Sequence, residues 1–318
     1  MDDRRRRLAL FADPRDIAAR ILLPATLAAV GNAGELHCPV VLLPESARHA
    51  GSWADWAARL RDRLVQLARG TGRWESALRQ PPLSLARLAR RKGVSLVFLP
   101  DDDPNHPEIV ARLNEEFRCG LSLNLYCQKR FGPELLAQFA VAANYHNGSL
   151  PRFRGLRASN WSLYQAASTS GYCFHRMDDG IDSGNLLIEG EVAVRAEDTP
   201  AQLEWRKAHA AAQRLPELLR ALAENRAGRP QSGMAGEHNR HAHELATRID
   251  DPGRLSAAEW RRRLHAFIRL HVRIDGRWLA VTGVRAARPG DPLCFRCADD
   301  QWLAVVAVDF LPVSRTRQ

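Results

Sequence analysis

Short apolar runs alternate with longer stretches of helical periodicity over the first half of the chain. Residues 7–12, Arg-Leu-Ala-Leu-Phe-Ala, have the length and composition of a buried strand. Asp13-Pro14 follows as a helix start, and 17–30 reads as a helix stopped near Gly31-Asn32. A second strand is expected at 38–43. An amphipathic helix is expected at 53–67, with Trp53, Trp56, Ala57, Leu60, Leu64 and Leu67 on one face. After Pro81-Pro82 come a helix at 83–91, a strand at 94–99, a helix at 105–116 and an apolar run at 120–126. Strands interleaved with helices predict an open, mostly parallel sheet with helices on both faces. Ligands of such sheets lie beyond the carboxyl ends of the strands, where the strand order reverses.

The pattern changes after residue 226. Arg-Ala-Gly-Arg-Pro-Gln-Ser-Gly over 226–233 is polar and rich in breakers, so 1–226 is expected to form one domain, 227–244 a linker and 245–318 a second, small domain. Within the last, Ser256 and Glu259 fit a capping box opening a helix at 257–267. Short apolar runs at 278–284, 293–297 and 302–310 then predict a small antiparallel, barrel-like β module.

Composition narrows the class. With 45% apolar and 26% charged residues among 318, the chain can fill a core, and wholesale disorder is excluded. No uncharged apolar run reaches the length of a membrane span, and the start, where Arg4 to Arg7 are followed by Asp13, Pro14 and Asp16, makes a poor secretory signal. Six cysteines without dense spacing fit reduced thiols and a cytoplasmic location. The net charge of +10 sits on the flanks: residues 1–100 hold 17 basic and 9 acidic residues, residues 240–318 hold 14 and 9, and the middle is slightly acidic. A solvated arginine-rich surface explains this better than a nucleic-acid face, because no aromatic-interleaved motif accompanies the arginines.

The densest polar constellation lies between 144 and 190. If 138–143 is a strand, Asn144 and His146 leave its carboxyl end on one face. A neutral amide donor beside a group that titrates near neutrality suits attack on a carbonyl, one steadying the oxyanion and the other managing a proton. Further on, Met177-Asp178-Asp179-Gly180-Ile181-Asp182-Ser183-Gly184 sets carboxylates and glycines between apolar runs, and one buried Asp there can orient a histidine. Three other features carry less. Cys294 and Cys297 form a CxxC with no second ligand pair at zinc spacing; His238, His241 and His243 fall in the expected linker; His175 reads as a residue beside Phe174 that either packs in the core or supports the site from behind. No metal site is expected.

Two motifs in order carry a resemblance: Asn144-x-His146 followed by Ser149-Leu150-Pro151 and Phe153-Arg154-Gly155, then Asp179-Gly180-Ile181-Asp182-Ser183-Gly184. Over about residues 90–225 the chain resembles the formyltransferase superfamily that uses 10-formyltetrahydrofolate, which includes the methionyl-tRNA, glycinamide ribonucleotide and amino-sugar enzymes. The resemblance implies a Rossmann-like formyltransferase domain and carries over three roles. Asn144 would bond the formyl oxygen, His146 would relay the amine proton, and Asp182 would orient the histidine. It implies a folate seat on Tyr126, Cys127 and Gln128 and on Met177, Asp178, Asp179 and Ile181. Arg152, Arg154 and Arg157 flank the expected site and can meet phosphate or carboxylate. Three departures bear on the amine: Gly148 where the family has serine, Phe11-Ala12-Asp13-Pro14 in place of a glycine turn, and Leu156-Arg157-Ala158 after Gly155. The expected reaction is N-formylation of a small-molecule amine, a nucleotide-linked amino sugar ahead of an amino acid or carrier-bound aminoacyl group. The alternative acceptor is methionyl-tRNA, supported by length, the OB-like appendage and the basic flanks. A homodimer is compatible with the pattern, and a catalytically silent scaffold is disfavoured by the intact trio.

Overall fold

The computed structural model describes residues 3–33, 36–48, 85–236 and 240–309. The expected helix at 53–67 and the Pro81-Pro82 break lie outside the described residues.

Nearly every early strand is buried along its whole length. β1 (Arg7–Ala12), β2 (His37–Pro44), β3 (Ser95–Leu99), β4 (Leu121–Leu125) and β5 (Val141–His146) are mutually parallel. Two further strands, β6 (Thr169–Arg176) and β7 (Leu186–Ala193), add antiparallel to complete a seven-stranded sheet of order β3-β2-β1-β4-β5-β6-β7. The chain builds outward from β1 to β3, then returns to place β4 on the other side of β1. The order therefore reverses between β1 and β4, and a ligand crevice is expected at their carboxyl ends.

Helices follow the sequence pattern with informative differences. α1 (Ile17–Ala33) begins later than Asp13-Pro14 because Asp16 caps it, its carboxylate accepting from the Ala18 and Ala19 N–H groups at 2.7 and 3.3 Å. Asp13 instead pairs with Arg15. The helix also runs through Gly31 and Asn32. There follow α2 (Leu85–Lys92), α3 (Pro107–Glu115), α4 (Pro133–Leu136), α5 (Ala158–Tyr164), α6 (Pro200–Gln213) and α7 (Leu215–Ala223). A full capping box, Thr199 with Gln202, fixes the start of α6. α1, α6 and α7 cover one sheet face through Leu22, Leu23, Ala208, Leu215 and Leu219. α3 and α4 cover the other through Ile109, Leu113 and Leu135. None of these helices is long and apolar enough to cross a membrane.

The second unit begins with α8 (Arg240–Thr247), a helix inside the segment expected to be linker, so His241 and His243 are helical; His243 packs on Phe267. β8 (Arg248–Ile249), α9 (Ala257–Phe267), β9 (Leu270–Ile274), β10 (Arg277–Ala286), β11 (Cys294–Arg296) and β12 (Trp302–Asp309) follow. The sheet is antiparallel in order β11-β12-β10-β9, and β8 joins β9 in parallel. Among the described residues no ladder joins β8 to β11; this five-stranded sheet is the small C-terminal β module the sequence predicts. α9 plugs its face with fully buried Trp260. Phe153, Trp161 and Leu163 of the first unit enter the same core, and Asn160 Nδ2 donates to Ala266 O at 2.8 Å.

Candidate active site

β5 extends through His146, three residues beyond the expected end, because Asn144, Tyr145 and His146 pair with His175, Phe174 and Cys173 of β6. Asn144 and His146 share a sheet face, as their two-residue spacing requires. The antiparallel return along β6 brings His175 opposite Asn144. The loop after β6 then folds Asp182 back between the two imidazoles.

Asp182 holds the centre. Its Oδ2 lies 3.4 Å from His146 Nδ1 and accepts the Gly155 N–H at 3.0 Å, while its Oδ1 lies 3.3 Å from His175 Nε2. The other nitrogens are committed to main-chain carbonyls, His146 Nε2 to Phe153 O at 2.7 Å and His175 Nδ1 to Arg176 O at 2.7 Å. A carbonyl only accepts, so those nitrogens carry the hydrogens. When neutral, both rings turn their lone pairs to Asp182, and a proton taken up by either lies between imidazole and carboxylate. Burial lowers the His146 pKa from its ordinary value against the opposing pull of Asp182. Burial alone would raise Asp182, but His146, His175 and the Gly155 N–H outweigh it and hold its carboxyl well below the usual range. The carboxylate is thus held ionised against two ring nitrogens, while burial favours the uncharged form of His146.

Asn144 completes the arrangement. Its Oδ1 accepts from Asn124 Nδ2 at 2.9 Å and its Nδ2 meets His175 Nε2 at 3.0 Å, so the direction of the amide is fixed and one Nδ2 hydrogen remains to give. Asn124, buried in β4, also accepts the Cys127 N–H at 2.7 Å and donates to Cys127 O at 3.0 Å. It thereby ties the turn after β4 to Asn144.

The remaining sequence candidates divide. Tyr126, Cys127 and Gln128 form the turn at the carboxyl end of β4, with Tyr126 at φ +76. Cys127 belongs to an apolar cluster against which Met177 also packs. Asp178 locks its own loop by accepting from Gly180 N and Ser183 Oγ; Asp179 is exposed. Ile181 on this loop and Leu156 on the facing one are 64% and 47% exposed, apolar surface on either side of the trio. Arg152 turns away to Gln165 and over the Phe153 ring, Arg154 Nη2 bonds Gln231, and Arg157, at φ +59, starts α5 in the open. Burial pushes the Cys127 thiol up to about 11 and Cys173 well above its ordinary value, so neither is a thiolate at neutral pH.

Gly148 follows from packing. A Cβ there would collide with Ala158 Cβ and lie 2.9 Å from both His146 Nε2 and Phe153 Cβ, so the histidine loop closes against α5 only around glycine. Sequence reasoning left His175 between packing and support of the site, and passed over Asn124, Gln231 and the buried group behind β5. There Asn147 Nδ2 donates to Glu204, and Lys207 Nζ donates to Asn147 O and to Ser170 Oγ. Burial brings Lys207 down to about 8 and raises Glu204. The Glu-x-x-Lys spacing on one helical face was the available signal for that pair.

An amide, two imidazoles and a carboxylate thus converge at the carboxyl end of β5, beside the switch point between β1 and β4. Residues 73–219 match the family described as formyl transferase. It is also similar to solved structures. With a sugar N-formyltransferase from a Shewanella species it shares 16% identity over 87% of this chain and 96% of that one (TM-score 0.60). With a 4-N formyltransferase from Francisella tularensis it shares 14% over 88% and 98% (TM-score 0.57). With an N-formyltransferase from Helicobacter canadensis, solved with folinic acid and dTDP-3-aminofucose, it shares 13% over 94% and 98% (TM-score 0.55).

Proposed function

We propose that this enzyme moves the formyl group of 10-formyltetrahydrofolate to the primary amine of a small molecule, a nucleotide-linked amino sugar. The observation that carries the reading is the convergence of Asn144, His146, His175 and Asp182 at the carboxyl end of β5. The folate-bound, sugar-nucleotide-bound Helicobacter canadensis structure supports the substrate pair. The apolar surface of Leu156 and Ile181 and the turn at Tyr126–Gln128 suit a flat, partly apolar co-substrate.

When bound, 10-formyltetrahydrofolate supplies an activated formamide carbonyl. The residues then divide the work. The free Nδ2 hydrogen of Asn144 meets the formyl oxygen as charge gathers on it, and Asn124 keeps that hydrogen aimed. The proton shed by the attacking amine passes to the Asp182–His146 pair, where the ionised carboxylate stabilises the imidazolium, and is given up to the folate nitrogen as its bond to the formyl carbon breaks and tetrahydrofolate leaves. His175 shares Asp182 and holds Asn144 from the other side. Transfer is direct from donor to amine, so no covalent enzyme intermediate is required.

A macromolecular acceptor is the second reading, favoured by exposed Arg273 and Arg277 on the C-terminal sheet. Incubation with 10-formyltetrahydrofolate and a panel of amines (sugar nucleotides, amino acids, charged initiator tRNA), reading released tetrahydrofolate, separates the two. Turnover with an amino-sugar nucleotide, lost on the order of a hundredfold in His146→Ala, supports the proposal. Turnover with tRNA alone, or with no amine, overturns it.

A further inference from the structure

The segment after α7, which reads in sequence as a breaker-rich connector, crosses the rim of the candidate site and is bonded to both of its loops. Arg229 exchanges two main-chain hydrogen bonds with Leu186, each 2.8 Å, and its guanidinium meets Glu189 at 2.8 Å. Gly236 N donates to Pro151 O at 2.9 Å. Between these anchors lies the partly buried Gln231. Its Nε2 donates to the carbonyls of Asp182 and Gly184, both at 2.8 Å, and its Oε1 accepts from Arg154 Nη2 at 3.0 Å. Both amide hydrogens and the amide oxygen are therefore spent, and all on the two loops that carry the reacting groups.

Those contacts fall where orientation matters. Asp182 has φ +49, a left-handed backbone that a non-glycine residue keeps only when its surroundings hold it. The same residue aims its carboxylate at His146 and His175. Gly184 sits against Arg176 O with no room for a Cβ, so the loop has a single way to close. On the other side, Arg154 stands between Phe153, whose carbonyl takes the His146 Nε2 hydrogen, and Gly155, whose N–H meets Asp182. One side chain thus fixes the backbone of the carboxylate and the loop against which the imidazole is docked.

We infer that Gln231 is a positioning residue: through it, the 229–236 segment holds Asp182 in register with His146. The inference rests on the proposed formyl transfer for its catalytic meaning, while the geometry it asserts is measurable without turnover. Gln231 touches no reacting atom and acts through Asp182.

The test compares Gln231→Met, which keeps length and loses all three hydrogen bonds, and Gln231→Glu, which keeps the Arg154 contact but turns a carboxylate on two carbonyls. Two readouts need no substrate. Amide hydrogen exchange across 178–184 is expected to speed up at least tenfold in Gln231→Met. The His146 ring titration, followed by NMR, is expected to move to lower pH, because a loosened Asp182 supports the imidazolium less. The charged or titratable neighbours bearing on His146 are Asp182, His175 and Lys207. In the formyl-transfer assay kcat is expected to fall about tenfold with the amine KM within twofold, Gln231→Glu losing more. Unchanged exchange and an unmoved His146 titration overturn the inference. So does a lowered Tm with kcat and its pH profile intact, since that is a stability role only. An inactive wild-type chain, by contrast, defeats the proposed function and leaves the exchange and NMR arms to decide Gln231.

Discussion

Asn124 and Asn144 stand side by side on adjacent parallel strands, joined by a 2.9 Å hydrogen bond from Asn124 Nδ2 to Asn144 Oδ1. Because that oxygen is occupied, the Asn144 amide cannot turn over without abandoning both Asn124 and His175. Asn124→Leu removes the constraint and also releases the Cys127 turn, and is expected to lower kcat about tenfold and to raise the folate KM. In the Asn144→Ala background the same change is expected to cost nothing more; an additive double-mutant cycle refutes the coupling.

Below neutrality, rate is expected to fall as His146 takes a proton at rest. Burial lowers its pKa, so the acid limb of kcat lies below the ordinary histidine value of 6.5. Asp182→Asn removes the charge that favours the imidazolium. It is expected to move the limb to still lower pH while reducing the plateau on the order of a hundredfold. A limb that rises, or a plateau unchanged, excludes Asp182 from this role.

Much of this was legible beforehand. β1 and β2 are near-continuous apolar runs because they are covered on both faces, and such runs announce themselves. Asn144, His146 and Asp182 stood out because two polar motifs interrupt that apolar frame. His175 did not, since a histidine beside Phe174 in a strand looks the same whether its partner is a carboxylate or a core. Its meaning depends on the antiparallel return of β6, which no local pattern encodes. Gln231 was hidden for the opposite reason. Its neighbours Gly228, Pro230 and Gly233 signal a turn, and a turn says nothing of what its one long amide reaches.

The joint between the two units is expected to be energetically substantial. Phe267 packs edge-on against Trp161 with ring centroids 5.2 Å apart, beside Tyr164 at 5.5 Å. Phe267→Ala is expected to destabilise by about 3–5 kcal/mol in denaturant titrations. One cooperative transition should shift as a whole; two separated transitions refute a shared core.

Salt separates the acceptor classes. A sugar nucleotide contacts few charges, and its KM is expected to change less than threefold between 50 and 200 mM salt. A polynucleotide acceptor engaging 6–10 cationic groups would weaken by roughly 10³–10⁵ over that range.

Finally, β5 is the seam between the parallel and antiparallel halves of the large sheet. Asn124 and the turn that follows it come from the parallel half, while His175 arrives on β6, running the opposite way, and Asp182 on the loop that follows β6. Donor geometry and proton handling are thus inherited from different pieces of chain. Under the proposed function, drift in the turn after β4 would therefore alter how the folate is seated, leaving the acid–base machinery next door as it was.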